Sequence, residues 1–432
     1  RCPAPLAAAR LSSMTARPAE GQPGTARHLD QPARMPGNPR HRPFTVRLDP
    51  DMIADLKGRL DRIRWPAEPD DEPGWLYGAN LAYMQRFAAH WRDGYDWAAA
   101  EARLNRHPQF LAEMDAGAHG ELVIHYVLRE GRGPNPLPLV LTHGWPGSVL
   151  EFSQIVDALA DPAAHGGDPA DAFTVICPTL PGYGFSTGLR RPIHPRDIAA
   201  LWARLLRDEL GLDRVFAAAG DWGSVVTAWL ATDHPDRVAA IHLNMLAFRP
   251  LLDDTLRASL SAEEVAWFAR VEKRLARQGA YWQIQGTKPT SIGYGLSDSP
   301  IGLAGWLVEK FQGAPGAPAA HEPPFSMDDL IDNILTYWIT NSISTANWTY
   351  WAVNNAEAPG GGIALPAGMR CEVPTGFFLP PKDLFPLPPQ SLVERVFNVT
   401  HRTDAADGGH FVAMDNGPAF VADLRSFFRR YR

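Results

Sequence analysis

Residues 218–224 read AAGDWGS and join an apolar, strand-like segment to a helix-like one through small side chains. Residues 214–218 form a short apolar run, which is typical of a buried strand, and 223–232 continue as a predicted helix. Small residues around a central acid permit a strained strand-to-helix turn that raises the central side chain above the carboxyl ends of the strands. Asp221 is therefore a candidate nucleophile, although an aspartate between glycines is more often a helix N-cap.

Strand and helix patterns alternate on both sides of this turn. Such alternation predicts a mostly parallel sheet that is covered on both faces. Between 244 and 370 helical patterns replace the strand pattern, which is the layout of a helical lid inserted into the sheet. The predicted strands span 122–127, 138–142, 173–177, 214–218, 238–243, 370–373 and 395–400, and the predicted helices include 197–210, 223–232, 262–277 and 327–341.

The N-terminal region differs in composition from the rest of the chain. Residues 1–43 are rich in Pro, Ala, Arg and Gly and hold few large apolar side chains, so we expect a disordered leader. Asp49-Pro50-Asp51 then supplies an N-cap, a proline at the first helical position and an acidic first turn. Apolar residues at helical spacing follow until Trp65-Pro66, where we expect the helix to stop.

The composition argues against several classes of partner. The 432 residues carry a formal charge of −7, which gives no basic footprint for nucleic acid and no basic face for a membrane surface. No apolar run approaches the roughly 18 residues that span a bilayer. Cys2, Cys177 and Cys371 are odd in number and far apart, so we expect reduced thiols and a cytoplasmic location, with neither disulfides nor a metal site.

A second motif supports nucleophilic catalysis. HGWPGS at 143–148 directly follows the apolar strand that is predicted to end at Thr142. In folds that use a strand-to-helix nucleophile turn, this position supplies one backbone donor of an oxyanion hole, and the residue after the nucleophile supplies the other. The predicted donors are the N–H groups of Trp145 and Trp222.

The C-terminal part offers an acid and a base in the required order. His410 follows a glycine pair beyond the last predicted strand. Asp383 lies in the loop that follows the preceding strand, where an acid can orient the histidine. Weaker candidates for the acid are Glu372, Asp404 and Asp407.

From Phe44 to the C terminus, the chain resembles the microsomal-type epoxide hydrolases, a branch of the α/β-hydrolase fold with an N-terminal meander. The resemblance rests on many short motifs that occur in the same order. They are RWP at 64–66, YDW at 95–97, LN at 104–105, HGWPGS at 143–148, GDWGS at 220–224, GAYWQIQ at 279–285, TKP at 287–289, DSP at 298–300, VPTGF at 373–377 and GGHF at 408–411.

The resemblance implies an α/β-hydrolase fold, with a mostly parallel eight-stranded sheet, a helical lid inserted after strand 6 and an N-terminal helical meander. The membrane anchor of the animal microsomal enzymes is not found in this sequence, so we expect a soluble form. The expected segments are the leader at 1–43, the meander at 44–118, the first part of the hydrolase core at 119–246, the lid at 247–358 and the second part of the core at 359–432.

The resemblance also assigns residue roles. The family nucleophile falls on Asp221, its base on His410 and its relay acid on Asp383. The tyrosines that bind the oxirane oxygen fall on Tyr281 and Tyr350. No cofactor or metal is implied.

An aspartate at the centre of the turn suits attack on an sp3 carbon. A carboxylate is already ionised near pH 7, so it can open a strained epoxide without a base. The expected reaction converts a hydrophobic epoxide and water to a vicinal diol through an ester on Asp221. We expect no nucleic-acid or membrane partner, and a homodimer is the assembly to test.

Two alternatives stay open. A haloalkane dehalogenase uses the same aspartate nucleophile but binds the leaving halide through indole or amide N–H groups. A non-catalytic ligand receptor can also be built on a hydrolase fold, although such proteins typically lose a member of the triad.

Overall fold

The computed structural model describes residues 41–67, 70, 74–312, 321–365 and 368–432. Most of the predicted leader, 1–40, therefore lies outside the described residues. Its last three residues belong to a strand, so the leader was predicted to extend too far.

The fold is built on a mixed β-sheet. In chain order, the strands are β1 (His41–Phe44), β2 (Gln109–Asp115), β3 (Glu121–Arg129), β4 (Leu137–Thr142), β5 (Phe173–Pro178), β6 (Val215–Ala219), β7 (Val238–Leu243), β8 (Arg249–Pro250), β9 (Ala364–Leu365), β10 (Cys371–Leu379) and β11 (Phe397–Asp404). The main sheet of the described residues has nine strands in the order β1-β2-β3-β5-β4-β6-β7-β10-β11, and β8 pairs with β9 separately. At one edge of the sheet, β1 pairs antiparallel with β2, β2 with β3, and β3 with β5. From β5 onward in this order, every neighbouring pair of strands is parallel.

Helices cover this sheet and extend from it. They are α1 (Pro50–Leu60), α2 (Leu81–Ala89), α3 (Trp97–Leu104), α4 (Val156–Ala160), α5 (Pro195–Arg204), α6 (Asp221–Asp233), α7 (Asp254–Ser259), α8 (Ala262–Gln278), α9 (Ala280–Thr287), α10 (Pro289–Asp298), α11 (Pro300–Phe311), α12 (Met327–Trp338), α13 (Ile343–Asn354), α14 (Gln390–Glu394), α15 (Val412–Asp415) and α16 (Gly417–Phe428). No helix among the described residues has both the length and the apolar composition that a membrane crossing requires.

The predicted α/β-hydrolase fold is confirmed, but the predicted strand count of eight is wrong. The short edge strand β1 adds a ninth, because its sequence HRPF is too short and too polar to stand out as a strand. For the same reason the helices α7 to α13 follow the seventh strand of the main sheet in chain order rather than the sixth. β2 also went unidentified, since polar residues interrupt its apolar positions. The segment boundaries at 118, 246 and 358 stay predictions.

The N-terminal helices are fixed by local capping and by ion pairs to α12. The Asp49 side chain accepts a hydrogen bond from the Asp51 amide at 2.9 Å, which confirms the predicted cap of α1. In α12, the buried Asp332 receives a 2.6 Å hydrogen bond from Arg103 Nε and a short one from the Tyr95 hydroxyl. These contacts hold α12 against the N-terminal segment.

A His–Asp–His cluster, in which His242 is buried and the other two are half-buried, ties the last parallel strands to the C-terminal helix. Asp423 of α16 accepts hydrogen bonds from His242 Nε2 of β7 at 2.7 Å and from His401 Nε2 of β11 at 2.9 Å. Burial raises the pKa of Asp423, but the hydrogen bonds from these histidines outweigh burial and lower it. Asp423 therefore stabilises the fold as a carboxylate.

Asp423→Asn is expected to lower the free energy of unfolding at pH 7 by about 2–4 kcal/mol, because one histidine loses its acceptor inside the protein. Urea unfolding monitored by circular dichroism measures the change. Since the folded pKa is depressed, the carboxylate contributes fully above its unfolded pKa of about 4 and loses its contribution as pH falls below that. Asp213→Asn, at a fully exposed side chain, is the control and should change stability by less than about 0.5 kcal/mol. An equal effect of both variants at pH 7 would contradict this role for Asp423.

Candidate active site

The turn between β6 and α6 holds Asp221 in a conformation that few side chains adopt. Asp221 has a φ of 45°, in the left-handed region. Small neighbours are needed around it: a Cβ on Gly223 would lie 1.9 Å from the Thr142 carbonyl oxygen, and one on Gly220 would lie 2.6 Å from Asn244 Nδ2. This packing sets the Asp221 carboxylate at the carboxyl edge of the parallel strands, as the sequence predicts.

The loop after β4 delivers a backbone donor to this carboxylate. The Trp145 amide donates a hydrogen bond to Asp221 Oδ1 over 2.7 Å. Gly144 makes the approach possible, because a Cβ there would lie 2.2 Å from the same oxygen. The second predicted donor, the Trp222 amide, lies directly after Asp221 in the first turn of α6. In the described part of the chain, the Trp222 amide makes no hydrogen bond to the Asp221 carboxylate.

His410 lies between two carboxylates. Its Nδ1 is 2.7 Å from Asp383 Oδ1, and its Nε2 is 3.5 Å from Asp221 Oδ2. Asp383 follows β10 and His410 follows β11, so adjacent parallel strands bring the pair to the same edge as Asp221. The Leu384 amide also donates to Asp383 Oδ1, at 2.5 Å, which fixes this carboxylate toward the imidazole.

The competing acids have partners other than His410. Glu372 Oε1 lies 3.5 Å from Arg370, and Asp404 Oδ1 accepts from Arg402 at 2.7 Å. Asp407 pairs with Lys382 at 2.5 Å. Of the four acids considered from the sequence, Asp383 is therefore the one that the structure brings against His410.

The two carboxylates control the protonation of His410. Burial alone lowers the pKa of an imidazole, but here Asp383 and Asp221 together raise the pKa of His410 well above its ordinary value. The imidazolium is thus stabilised while both carboxylates are ionised. Any reaction that neutralises Asp221 removes part of this stabilisation.

Tyr281 and Tyr350 meet beside the donor loop. Tyr281 of α9 stacks on the Trp145 ring, with centroids 5.1 Å apart and planes 10° from parallel. Tyr350 of α13 lies edge-on to Trp145, Trp222 and Trp282, and its ring centroid is 6.0 Å from that of Tyr281. Burial, with the Asp221 charge adding to it, raises the pKa of both phenols. Both hydroxyls therefore keep their protons at neutral pH and can donate them.

A cleft of about 690 Å³ opens beside these groups. Its walls combine candidate site residues with aromatic side chains, and its lining includes Asp221, His410, Tyr281, Trp145, Phe311 and Phe325. Tyr183 packs against His143 and Tyr337 with its hydroxyl buried. The cleft is large enough for a small organic molecule.

Three charged residues near the site were missed from the sequence. Lys310 Nζ of α11 lies over the Tyr281 ring, 4.6 Å from its centroid, and pairs with Glu309. Burial raises the pKa of Glu151 to about 8. The nearby charge of His410 lowers this pKa, and the charge of Asp221 raises it further. Glu309 and Lys310 lie in an ordinary helical pattern and Glu151 in a short turn, so no local signal marks them.

A group that could hold a metal ion lies outside this cleft. Among the described residues, one cluster has the spacing of a metal site. Its potential ligand atoms lie within 4.8 Å of one another, on His242, His401 and Asp423. Both imidazole Nε2 atoms are already hydrogen-bonded to the Asp423 carboxylate. These hydrogen bonds account for the cluster without an ion.

Family models and known proteins give an independent comparison. Residues 41–152 match the model described as "Epoxide hydrolase N terminus", and residues 138–278 match that of the alpha/beta hydrolase fold. Epoxide hydrolase 1 of Oryctolagus cuniculus is 31% identical over 412 residues, covering 89% of this chain and 88% of that protein.

Solved structures extend the comparison to three dimensions. The Aspergillus niger epoxide hydrolase is 30% identical, with a TM-score of 0.74, covering 90% of this chain and 96% of that one. The juvenile hormone epoxide hydrolase of the silkworm Bombyx mori is 26% identical, with a TM-score of 0.78, covering 91% and 95%. The similarity therefore includes the N-terminal segment, the sheet and the helices between β7 and β10.

Proposed function

This chain belongs to the epoxide hydrolases of the α/β-hydrolase fold, and from that premise we propose that Asp221 opens the epoxide itself and forms an ester that water then hydrolyses. One observation carries the proposal. Asp221 Oδ1 is held by the Trp145 amide, while Oδ2 lies 3.5 Å from His410 Nε2, beside the cleft. The carboxylate is thus positioned as a reactant rather than as a helix cap.

In the first step, an oxygen of Asp221 attacks an epoxide carbon and the C–O bond of the ring breaks. The negative charge moves from the carboxylate to the leaving oxygen. Tyr281 and Tyr350 hydrogen-bond that oxygen, and one of them transfers its proton as the charge develops. The result is an alkyl ester on Asp221 with a free hydroxyl group on the neighbouring carbon.

In the second step, His410 activates water. Esterification neutralises Asp221, so one of the two charges that hold the proton on His410 disappears and its pKa falls. The neutral imidazole, oriented by Asp383, takes a proton from a water molecule that attacks the ester carbonyl carbon. The Trp145 amide stabilises the oxyanion that forms there, and we propose the Trp222 amide as the second donor. When this intermediate collapses, the ester C–O bond breaks and the diol oxygen leaves with the proton of the new carboxyl group, so Asp221 returns as a carboxylate. The proton that His410 released after ester formation restores the phenol, and the proton taken from water restores the imidazolium.

The tyrosines are expected to act on the first step only. Tyr281→Phe or Tyr350→Phe should each slow ester formation by roughly 10- to 1000-fold, because each removes one donor to the leaving oxygen. The double variant should be nearly inactive in ester formation, and hydrolysis of a preformed ester should change little. Rapid-quench kinetics with intact-protein mass spectrometry measures both steps.

Tyr294→Phe is the matched control, since this lid tyrosine is 77% exposed and should leave both steps unchanged. Near-normal ester formation by the double variant would show that another group protonates the oxygen. The assignment of both tyrosines would then be wrong.

The lining of the cleft supports a hydrophobic epoxide as substrate. Phe311, Phe325 and Trp145 offer apolar surface around the polar groups that carry the reaction. We expect styrene oxide to be converted to its diol. The absence of diol at substrate concentrations near saturation would argue for a different epoxide class.

The dehalogenase alternative has one observation in its favour, and the same enzyme preparation tests it. The indole N–H group of Trp145 is buried and has no hydrogen-bond partner among the described residues. Indole N–H groups can stabilise a departing halide. We expect no chloride release from 1-chlorobutane, since two phenols suit a leaving alkoxide. Chloride release at a rate comparable to diol formation would establish a second activity.

A cytoplasmic location and a homodimer are further predictions from the sequence. Cell fractionation tests the first. Light scattering coupled to size-exclusion chromatography tests the second, and a mass near 47.5 kDa would show a monomer.

A further inference from the structure

We propose that Lys310 is a positioning residue that makes Tyr281 the stronger acid of the lid pair. This inference rests on the proposed function, because it acts on the proton transfer that the lid tyrosines make. The two phenols would then differ in their tasks. Tyr281 would give its proton to the leaving oxygen, and Tyr350 would hold that oxygen by a hydrogen bond.

The geometry ties Lys310 to one tyrosine. Its Nζ lies 4.6 Å from the Tyr281 ring centroid and 5.8 Å from that of Trp306. The Lys310 side chain is only 18% exposed, so water screens its charge weakly. Lys310 and Tyr281 line the same cleft as Asp221, the origin of the charge that moves during the reaction.

Tyr350 has different surroundings. Its ring contacts are to Trp145, Trp222, Trp282 and Tyr281, all of them uncharged. Among the described residues, no cation lies over the Tyr350 ring. A cation at Lys310 can therefore distinguish the two phenols.

The movement of charge explains how the cation helps. When Asp221 attacks, a unit of negative charge leaves the carboxylate and is shared between the epoxide oxygen and the phenol that protonates it. An ammonium group beside the Tyr281 ring stabilises negative charge on that ring more in the transition state than in the ground state. The interaction therefore accelerates ring opening rather than substrate binding.

Glu309 works in the opposite direction. Burial raises the pKa of Tyr281 most, and the charges of Asp221 and Asp383 add to it. The Glu309 carboxylate raises this pKa further. Its ion pair with Lys310 partly neutralises the carboxylate. Loss of the lysine charge should therefore weaken the acid, whereas loss of the glutamate charge should not.

The test measures ester formation in a His410→Gln background, in which the ester is expected to persist. Lys310→Met should slow ester formation by roughly 3- to 30-fold, which is the range of a cation–π contact expressed as a rate. Lys310→Arg should restore the rate to within about threefold of the parent, because it restores the charge. Glu309→Gln should be no slower than the parent. Lys288→Met, at an exposed lysine of the lid, is the control and should have no effect.

A double-mutant cycle shows whether the effect passes through the Tyr281 hydroxyl. In a Tyr281→Phe background the aromatic ring remains, but Lys310→Met should then slow ester formation less than about twofold. In a Tyr350→Phe background the full effect should persist. Circular dichroism and thermal unfolding of each variant check that the fold is retained.

Three results would overturn the proposal. They are unchanged ester formation in Lys310→Met, equal slowing with and without the Tyr281 hydroxyl, or slowing by Glu309→Gln as large as that by Lys310→Met. A failure of the proposed function looks different. Tyr281→Phe itself would then leave ester formation unchanged, or no ester would accumulate in the parent variant.

Discussion

Asp221→Asn is expected to lower kcat by at least about 10⁴-fold, which is the scale on which nucleophile removal acts in covalent catalysis. An uncharged amide is a poor nucleophile toward an epoxide carbon, and the remaining groups cannot replace it. Asparagine is preferable to alanine here because Asp221 has a φ of 45°, and Asn tolerates the left-handed region. Diol formation, followed by chromatography, measures the loss.

Asp233→Asn is the matched control at the other end of the same helix. Asp233 pairs with Arg196 at 2.6 Å and lies away from the cleft, so this variant should keep the parent activity. Mass spectrometry of the Asp221→Asn sample checks for deamidation back to aspartate. Freshly prepared Asp221→Asn with a tenth or more of the parent activity would contradict the role of Asp221.

His410→Gln is expected to separate the two steps completely. Ring opening needs the Asp221 carboxylate and the lid phenols, so the first step should still occur once. Hydrolysis needs a base, so the ester should accumulate and the protein mass should rise by the mass of the substrate. Steady-state turnover should fall by at least about 10³-fold. Intact-protein mass spectrometry after mixing with styrene oxide detects the adduct.

His165→Gln, at an exposed histidine that does not line the cleft, is the control and should turn over normally without an adduct. Peptide mapping should place the added mass on the peptide that contains Asp221. An unmodified His410→Gln protein that has consumed no substrate would mean that His410 is required for ring opening. The proposed division between the two steps would then fail.

The geometry of the candidate site could be anticipated largely because its backbone has demanding geometry. The turn at Asp221 needs glycine at 220 and 223, where a Cβ would collide with neighbouring atoms, and this need leaves a visible pattern. The loop after β4 similarly needs Gly144 beside the carboxylate. Strand order then explains why His410 and Asp383 meet, since both follow adjacent parallel strands.

Other features depend on contacts between distant segments. Lys310 and Tyr281 lie on different helices, and nothing in either local sequence indicates that the ammonium lies over the phenol ring. β1 is too short to be recognised, because its pairing with β2 rather than its own composition makes it a strand. The motif predicts the Trp145 amide as a donor at this site, and it lies 2.7 Å from Asp221 Oδ1. Within the described residues, the Trp222 amide makes no hydrogen bond to the Asp221 carboxylate.

The most direct test of the mechanism follows the oxygen atom of water. A single turnover with enzyme in excess over styrene oxide is run in oxygen-18 water, and both the diol and the peptide containing Asp221 are analysed by mass spectrometry. If water attacks the ester carbonyl, the label enters the Asp221 carboxylate and the first-turnover diol stays unlabelled. Enzyme incubated without substrate should take up no label. An oxygen-18 diol with an unlabelled Asp221 peptide would show direct attack of water on the epoxide and contradict the ester mechanism.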